Sequence, residues 1–174
     1  MAGHTTHGTF KLKSGIIKVD PATGDASGEV IVDARSGDSG EKLRDSIMND
    51  KVLESAKYPE FVFTPHHVSG HRDPHTGVFS GVITGVMLAH GAQHPMAIRV
   101  DGALVGDELT AKCHLTIPYV AWGMANPSFL MFRVAKHVSV DIATAGRVTW
   151  NSAKGARDAV DAPARRQFAH EPEP

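Results

Sequence analysis

Over most of the chain, hydrophobic and polar residues alternate in short runs that end at glycine, aspartate or proline. After Cys113, the apolar Leu115, Ile117 and Tyr119 share its parity, while His114 and Thr116 take the other. Between Phe132 and Ile142, the residues Val134, Val138, Val140 and Ile142 share a parity with Lys136 as the exception, opposite Arg133, His137, Ser139 and Asp141. A period of two sends alternate side chains to opposite faces of a strand, so these runs predict strands with one buried and one wet face. Strands are predicted at about 6–12, 15–20, 27–35, 60–68, 77–89, 95–105, 108–117 and 132–144, the first two merging if the chain bends at Ser14-Gly15. Turn residues punctuate them at Asp20-Pro21-Ala22-Thr23-Gly24, His75-Thr76-Gly77, His90-Gly91 and Gly106-Asp107, where glycine admits positive φ and proline presets a turn. Short loops make neighbouring strands antiparallel, and an all-antiparallel set of this size hides its edges as a sandwich or a barrel.

One segment departs from this pattern. From Glu41 to Lys57 there is neither glycine nor proline, and Leu43 and Ile47 are spaced i, i+4. With Asp38 and Glu41 supplying an N-terminal cap, the spacing predicts a helix over 41–48 and a second over 50–56, restarting at Asn49 or Asp50. Tyr58-Pro59 returns the chain to extended structure, because the residue before a proline avoids the helical region. The domain is therefore expected over 4–148, and Asn151 to Pro174, charged and with Phe168 its one large apolar residue, reads as a polar disordered tail.

Composition sets bounds on partners. The 174 residues carry a net charge of −1, from 18 Lys plus Arg against 19 Asp plus Glu. Such a balance gives no electrostatic footprint for nucleic acid or an anionic membrane. No run of about 18 apolar residues exists to insert stably into a membrane. The start of the sequence lacks the basic and apolar regions of an export signal, which as written predicts a cytoplasmic protein. One cysteine, Cys113, permits no internal disulfide.

Eleven histidines are the compositional oddity. His66, His67, His71 and His75 fall close together with Asp73, and neutral imidazole is a common metal ligand. On a strand, however, His66 and His67 point to opposite faces, and His71 and His75 sit in a turn, so a surface loop is the better reading. His90 and His94 have helical ligand spacing, but Gly91 and Pro95 place them across a hairpin turn. Gly37-Asp38-Ser39-Gly40 spells the surroundings of a serine nucleophile without the base and carboxylate that such a serine requires. A turn leading into the helix cap accounts for all four. Glu29 and Asp33 share a strand parity and are expected to face water. No metal and no catalytic residue is assigned.

Phe10, Leu12, Phe61, Phe63, Phe79, Ile83, Met87, Ile98, Leu104, Leu115, Ile117 and Tyr119 fall on alternating positions of successive strands. They form an apolar interior, but alternation does not distinguish a filled core from an apolar lumen.

Several stretches together resemble the YceI-like family of polyisoprenoid-binding proteins. They are His7-Gly8-Thr9-Phe10 with Ser14-Gly15-Ile16, Arg44-Asp45, Tyr58-Pro59-Glu60-Phe61-Val62-Phe63, Gly85-Val86-Met87-Leu88-Ala89-His90-Gly91 with His94-Pro95, and Ile117-Pro118-Tyr119-Val120-Ala121-Trp122-Gly123. The resemblance implies a lipocalin-like antiparallel β-barrel with an apolar tunnel for a long isoprenoid or other amphiphile, bound without any further cofactor. It implies a tunnel wall made of the alternating residues above, with Trp122, Phe129 and Phe132 near one end. Met124-Ala125-Asn126-Pro127-Ser128 is placed to cap a barrel mouth. Family members carry a further strand before His-Gly-Thr-Phe, often after an export signal. Against that pattern the chain is expected to lack the first strand and to expose an edge along Thr6 to Lys13, a place where a second copy could pair as a homodimer. A start further upstream would make the protein periplasmic.

The leading expectation is thus a non-enzymatic carrier or sequestering protein for an apolar ligand. The alternatives are a metal- or histidine-dependent enzyme on the same barrel, and a filled-core, stress-related interaction module.

Overall fold

The computed structural model describes residues 6–128 and 133–150. Seven strands run in chain order through one antiparallel sheet: β1 (Thr9–Val19), β2 (Ala26–Asp38), β3 (Glu60–Arg72), β4 (Val78–Ala89), β5 (Ala92–Val105), β6 (Glu108–Ile117) and β7 (Val138–Arg147). The sheet curls into a half-barrel. The two strands predicted before residue 21 are one, β1, with register shifts between Thr9 and Lys11 and between Leu12 and Ser14. Bulges of this kind bend and twist a strand. A third irregularity lies between Pro65 and His67, and β3 continues beyond the expected residue 68 to Arg72. The last strand begins at Val138 rather than at 132 and reaches Arg147. Phe129, Phe132 and the expected tail over 151–174 lie outside the described residues.

Closure is where the structure departs from a complete barrel. Among the described residues β1 pairs only with β2 and β7 only with β6, so these two strands are free edges. Seven strands curl the sheet without bringing its ends into hydrogen-bonding range.

The turns follow the expected chemistry. Ala89 pairs with Ala92 across the two-residue loop His90-Gly91, and both loop residues have positive φ, 50° and 75°, as a type I′ hairpin turn requires. Asp20 and Asp73 each fold a carboxylate oxygen back onto backbone N–H groups of their own turns.

Of the one or two short helices expected at about 41–56, between β2 and β3, the structure has one. One helix, α1 (Lys42–Ile47), is capped by Glu41, whose carboxylate accepts from the N–H groups of Leu43 and Arg44. The chain then passes without a restart into a π-helical turn, Met48–Val52. Asp38 is not part of the cap; it accepts from the N–H of Gly40. Leu43 and Ile47, the apolar pair that signals the helix, stay exposed, at 68% and 42%. Val52 and Leu53 are the buried residues here. A π turn winds more residues per turn than an α-helix, which rotates the buried stripe off the i, i+4 positions.

Candidate functional site

Cross-strand register places the apolar positions of the strands on a single face. Leu12 is opposite Val32, Val32 opposite Phe61, Val30 opposite Phe63, and Phe63 opposite Met87. Ile83 is opposite Ile98, Val100 opposite Cys113, Leu104 opposite Leu109, and Leu115 opposite Val140. Phe79 lies over Gly102 and Phe63 over Gly85. These glycines lack the Cβ that would collide with the rings, so each aromatic ring reaches onto a neighbouring strand.

At the centre of this inner face Phe63, Ile98 and Leu115 are buried, packed by Val30, Ile83, Met87, Met96, Val100, Cys113, Ile117 and Val140. A second buried group forms a plug at one end, built from Val52 and Leu53 of the insertion, Ala89 of β4, and Tyr119 and Met124 beyond β6. Phe61, Met87, Ile117 and Trp122 pack against the plug. Met87 and Ile117 touch both groups and make the apolar surface continuous. Of the loop after Trp122, Met124 is 5% exposed and belongs to this buried group. Tyr119 donates its hydroxyl proton to the Ala135 carbonyl at 2.8 Å, and burial holds its pKa above the ordinary value.

The positions expected on the wall are therefore gathered by the fold, but unequally. Phe61, Phe63, Phe79, Ile83, Met87, Ile98, Leu104, Leu115, Ile117, Tyr119 and Trp122 are buried or half-buried. Phe10 and Leu12 are 43% and 58% exposed, because β1 is an edge with no strand beyond it. Phe10 meets Phe61 edge-on, ring centroids 6.0 Å apart. Val30, Val32, Met96 and Val100 are inner-face residues that the sequence reading passed over, although each sits at the right parity. Val52 and Leu53 were hidden by the change of helical geometry.

The histidines do not converge. Among the described residues no three His, Cys, Asp or Glu side chains gather as a metal site would require. Asp73 is occupied by its turn, its carboxyl held below the ordinary value by the N–H groups of Thr76 and His75. His67 stands 3.8 Å from Asp25. His90 Nε2 lies 2.7 Å from Glu54 Oε2 and its ring tilts over Tyr58. His94 faces inward and stacks on Trp122. Ser39 donates to Asp45 and accepts from Arg44 Nε, so Gly37-Asp38-Ser39-Gly40 is a clamped turn ahead of the helix.

One further cleft, of about 460 Å³, opens where the β5–β6 pairing stops at Val100 and Cys113 while β6 stays paired to β7. Cys113, His114 and Asp141 line it, and His114 Nδ1 lies 2.7 Å from Asp141 Oδ1. The three spell a thiol triad without forming one. Cys113 and His114 are consecutive on a strand and point to opposite faces. Burial, with Asp141 adding, pushes the Cys113 thiol above its ordinary pKa, whereas a nucleophilic thiol needs it lowered. No helix among the described residues is long and apolar enough to cross a membrane.

Comparison with known proteins agrees with this architecture. The YceI protein of Campylobacter jejuni, solved in a crystal with large solvent channels, superposes with a TM-score of 0.68 at 17% identity, over 86% of this chain and 89% of that one. BcnA of Burkholderia cenocepacia superposes at 0.61 with 20% identity, over 79% of this chain and 84% of that one. A polyisoprenoid-binding domain from Saccharophagus degradans aligns over 62% of this chain and 63% of its own length, at 15% identity and a TM-score of 0.49. None of the curated proteins matches in sequence. The profile of the YceI-like domain matches residues 1–145, and the chain belongs to the YceI-like family.

Proposed function

We propose that the protein binds a long apolar ligand, a polyisoprenoid or another amphiphilic lipid, along the inner face of the half-barrel, and carries or sequesters it without changing it chemically. One observation carries the reading: the apolar inner face does not end where burial ends. It runs on to Phe10 and Leu12 on one free edge and to Val138 and Ile142 on the other, between 43% and 58% exposed. A core that was merely filled has no use for apolar side chains facing inward at an open edge. Contiguous apolar surface of this kind marks a binding site.

The energetics suit such a ligand. Each isoprene unit has five carbons, and at roughly 0.8 kcal/mol per buried CH2-sized group its transfer from water gains about 4 kcal/mol. Several units outweigh the ordering cost of a flexible chain. The wall is drawn from Phe10, Leu12, Phe61, Phe63, Phe79, Ile83, Met87, Ile98, Leu104, Leu115 and Ile117, with Tyr119 and Trp122 at the plugged end. The role is one of binding rather than of catalysis: His67, His90 and His114 each stand beside a single carboxylate, and among the described residues no three such side chains gather.

Native mass spectrometry and organic extraction of the purified chain test this. Bound lipid is expected, as is a melting temperature that rises on adding a long polyprenol. At a ligand concentration of about 100 times Kd the gain is about 2.7 kcal/mol, several degrees for a domain of this size. Absence of lipid together with an unmoved melting temperature overturns the proposal.

A further inference from the structure

His94 is the third residue of β5 and stands opposite Met87, which places its side chain on the inner face. Its imidazole lies flat against the Trp122 indole, ring centroids 4.1 Å apart and planes 8° apart. The stack fixes the ring plane. Nε2 is buried and has no hydrogen-bond partner among the described residues. Leaving such an atom unpaired forfeits the hydrogen bonds it makes in water, and folded proteins satisfy nearly all of their buried polar atoms. Nothing in the fold forces the cost. The nearby His90 is held by Glu54 at 2.7 Å.

The surroundings narrow what could pair with it. Trp122 packs against the plug of Val52, Leu53, Ala89, Tyr119 and Met124, and Met87 packs there too. All are uncharged. A charged group brought among them would be buried without a counter-ion, which is far more costly than burying a neutral one.

Resting on the lipid-binding reading above, we infer that His94 Nε2 is the polar anchor of the ligand, and that the ligand's head is a neutral oxygen, an alcohol or a carbonyl, rather than a phosphate. The head seats against the His94–Trp122 stack at the plugged end. The apolar chain runs from there along Met87 toward Phe63, Ile98 and Leu115. A neutral imidazole nitrogen donates or accepts according to its tautomer, so an alcohol pairs with it in either state and a carbonyl when Nε2 carries the proton. The anchor would set specificity and direction, while the apolar area supplies most of the affinity.

The test uses the full chain with three probes: a long polyprenol, the matching polyprenyl diphosphate, and squalene, an isoprenoid without a head. Wild type is expected to bind the alcohol about tenfold more tightly than squalene, the worth of one neutral hydrogen bond, and the diphosphate no more tightly than the alcohol. His94→Phe keeps a ring on Trp122 and removes the nitrogen. It should bind alcohol and squalene equally, at the wild-type affinity for squalene, with its melting temperature unchanged or raised. His94→Gln should restore part of the preference. Equal losses for alcohol and squalene in His94→Phe would reduce His94 to a packing residue and overturn the inference, as would tightest binding of the diphosphate. Wild type binding none of the three fails the lipid-binding reading itself, and is told apart by the squalene arm.

Discussion

His90 and Glu54, joined at 2.7 Å between Nε2 and Oε2, are the two non-glycine residues with positive φ among those described, at 50° and 46°. One forms the tip of the β4–β5 hairpin and the other follows the π turn, so their bond ties the hairpin to the plug. A side chain in the left-handed region costs about 1–2 kcal/mol. The conformation persists because tertiary contacts over-determine it: Tyr58 lies under the His90 ring, centroids 4.5 Å apart.

The backbone and the side chain of Glu54 can be separated by substitution. Glu54→Ala loses the bond and keeps the strain, and is expected to destabilise by about 1–2 kcal/mol. Glu54→Gly loses the same bond but adopts the left-handed conformation freely, and should recover about 1 kcal/mol of that. Urea denaturation of the two variants decides it. A glycine variant no more stable than the alanine variant would mean that position 54 carries no backbone strain.

The glycines opposite the aromatics give a second contrast. A Cβ at Gly102 would fall 2.6 Å from Phe79 Cζ and collide with the Thr110 carbonyl oxygen. Neither backbone nor packed ring can yield cheaply, so Gly102→Ala should lose about 1–3 kcal/mol. At Gly146, on the β7 edge, a Cβ meets nothing within 4 Å. Gly146→Ala should stay within about 0.5 kcal/mol of wild type. Denaturation midpoints measured side by side test the pair, and equal losses would place Phe79 away from Gly102.

The inner face was legible in the sequence because period two survives wherever register is fixed by tight turns. His90-Gly91 and Gly106-Asp107 each link strands that pair directly at the loop, Ala89 with Ala92 and Val105 with Glu108. Parity read along one strand therefore transfers to the next. What alternation cannot carry is closure. Phe10 and Leu12 have the same parity signal as Phe63, yet they are exposed because β1 has one neighbour instead of two. The part of the plug supplied by Val52 and Leu53 was illegible for a different reason: a six-residue helix running into a π turn has no single period to detect. His94 lies in β5 beside the hairpin turn and shares the parity of Ile98, and its pairing with Met87 puts its side chain on the inner face.

That difference in exposure separates fold from function along one face. Phe63 is 6% exposed at the centre, and Phe63→Ala should cost about 3–5 kcal/mol whether or not lipid is present. Leu12 is 58% exposed, and Leu12→Ser should change the stability of the lipid-free chain by less than about 1 kcal/mol. The same Leu12→Ser should weaken the rise in melting temperature produced by a polyprenol. If that rise is undiminished, β1 takes no part in the wall.

Cys113 reports on the opposite edge. It faces inward beside Val100 and Ile142, and burial followed by the Asp141 carboxylate raises its pKa from 9.0. Less thiolate at neutral pH means that iodoacetamide should modify the folded chain several-fold more slowly than the urea-unfolded chain. Polyprenol should slow it further, by covering the inner face. The linkage has a definite sign. Above about pH 9 the unfolded thiol loses its proton while the folded one retains it, so stability contributed by this group is intact below that pH and falls as pH rises toward the folded pKa. Cys113→Ala should remove that part of the alkaline decline and leave the neutral range unchanged. A thiol that reacts as fast folded as unfolded, with polyprenol making no difference, would place Cys113 outside the lipid's path.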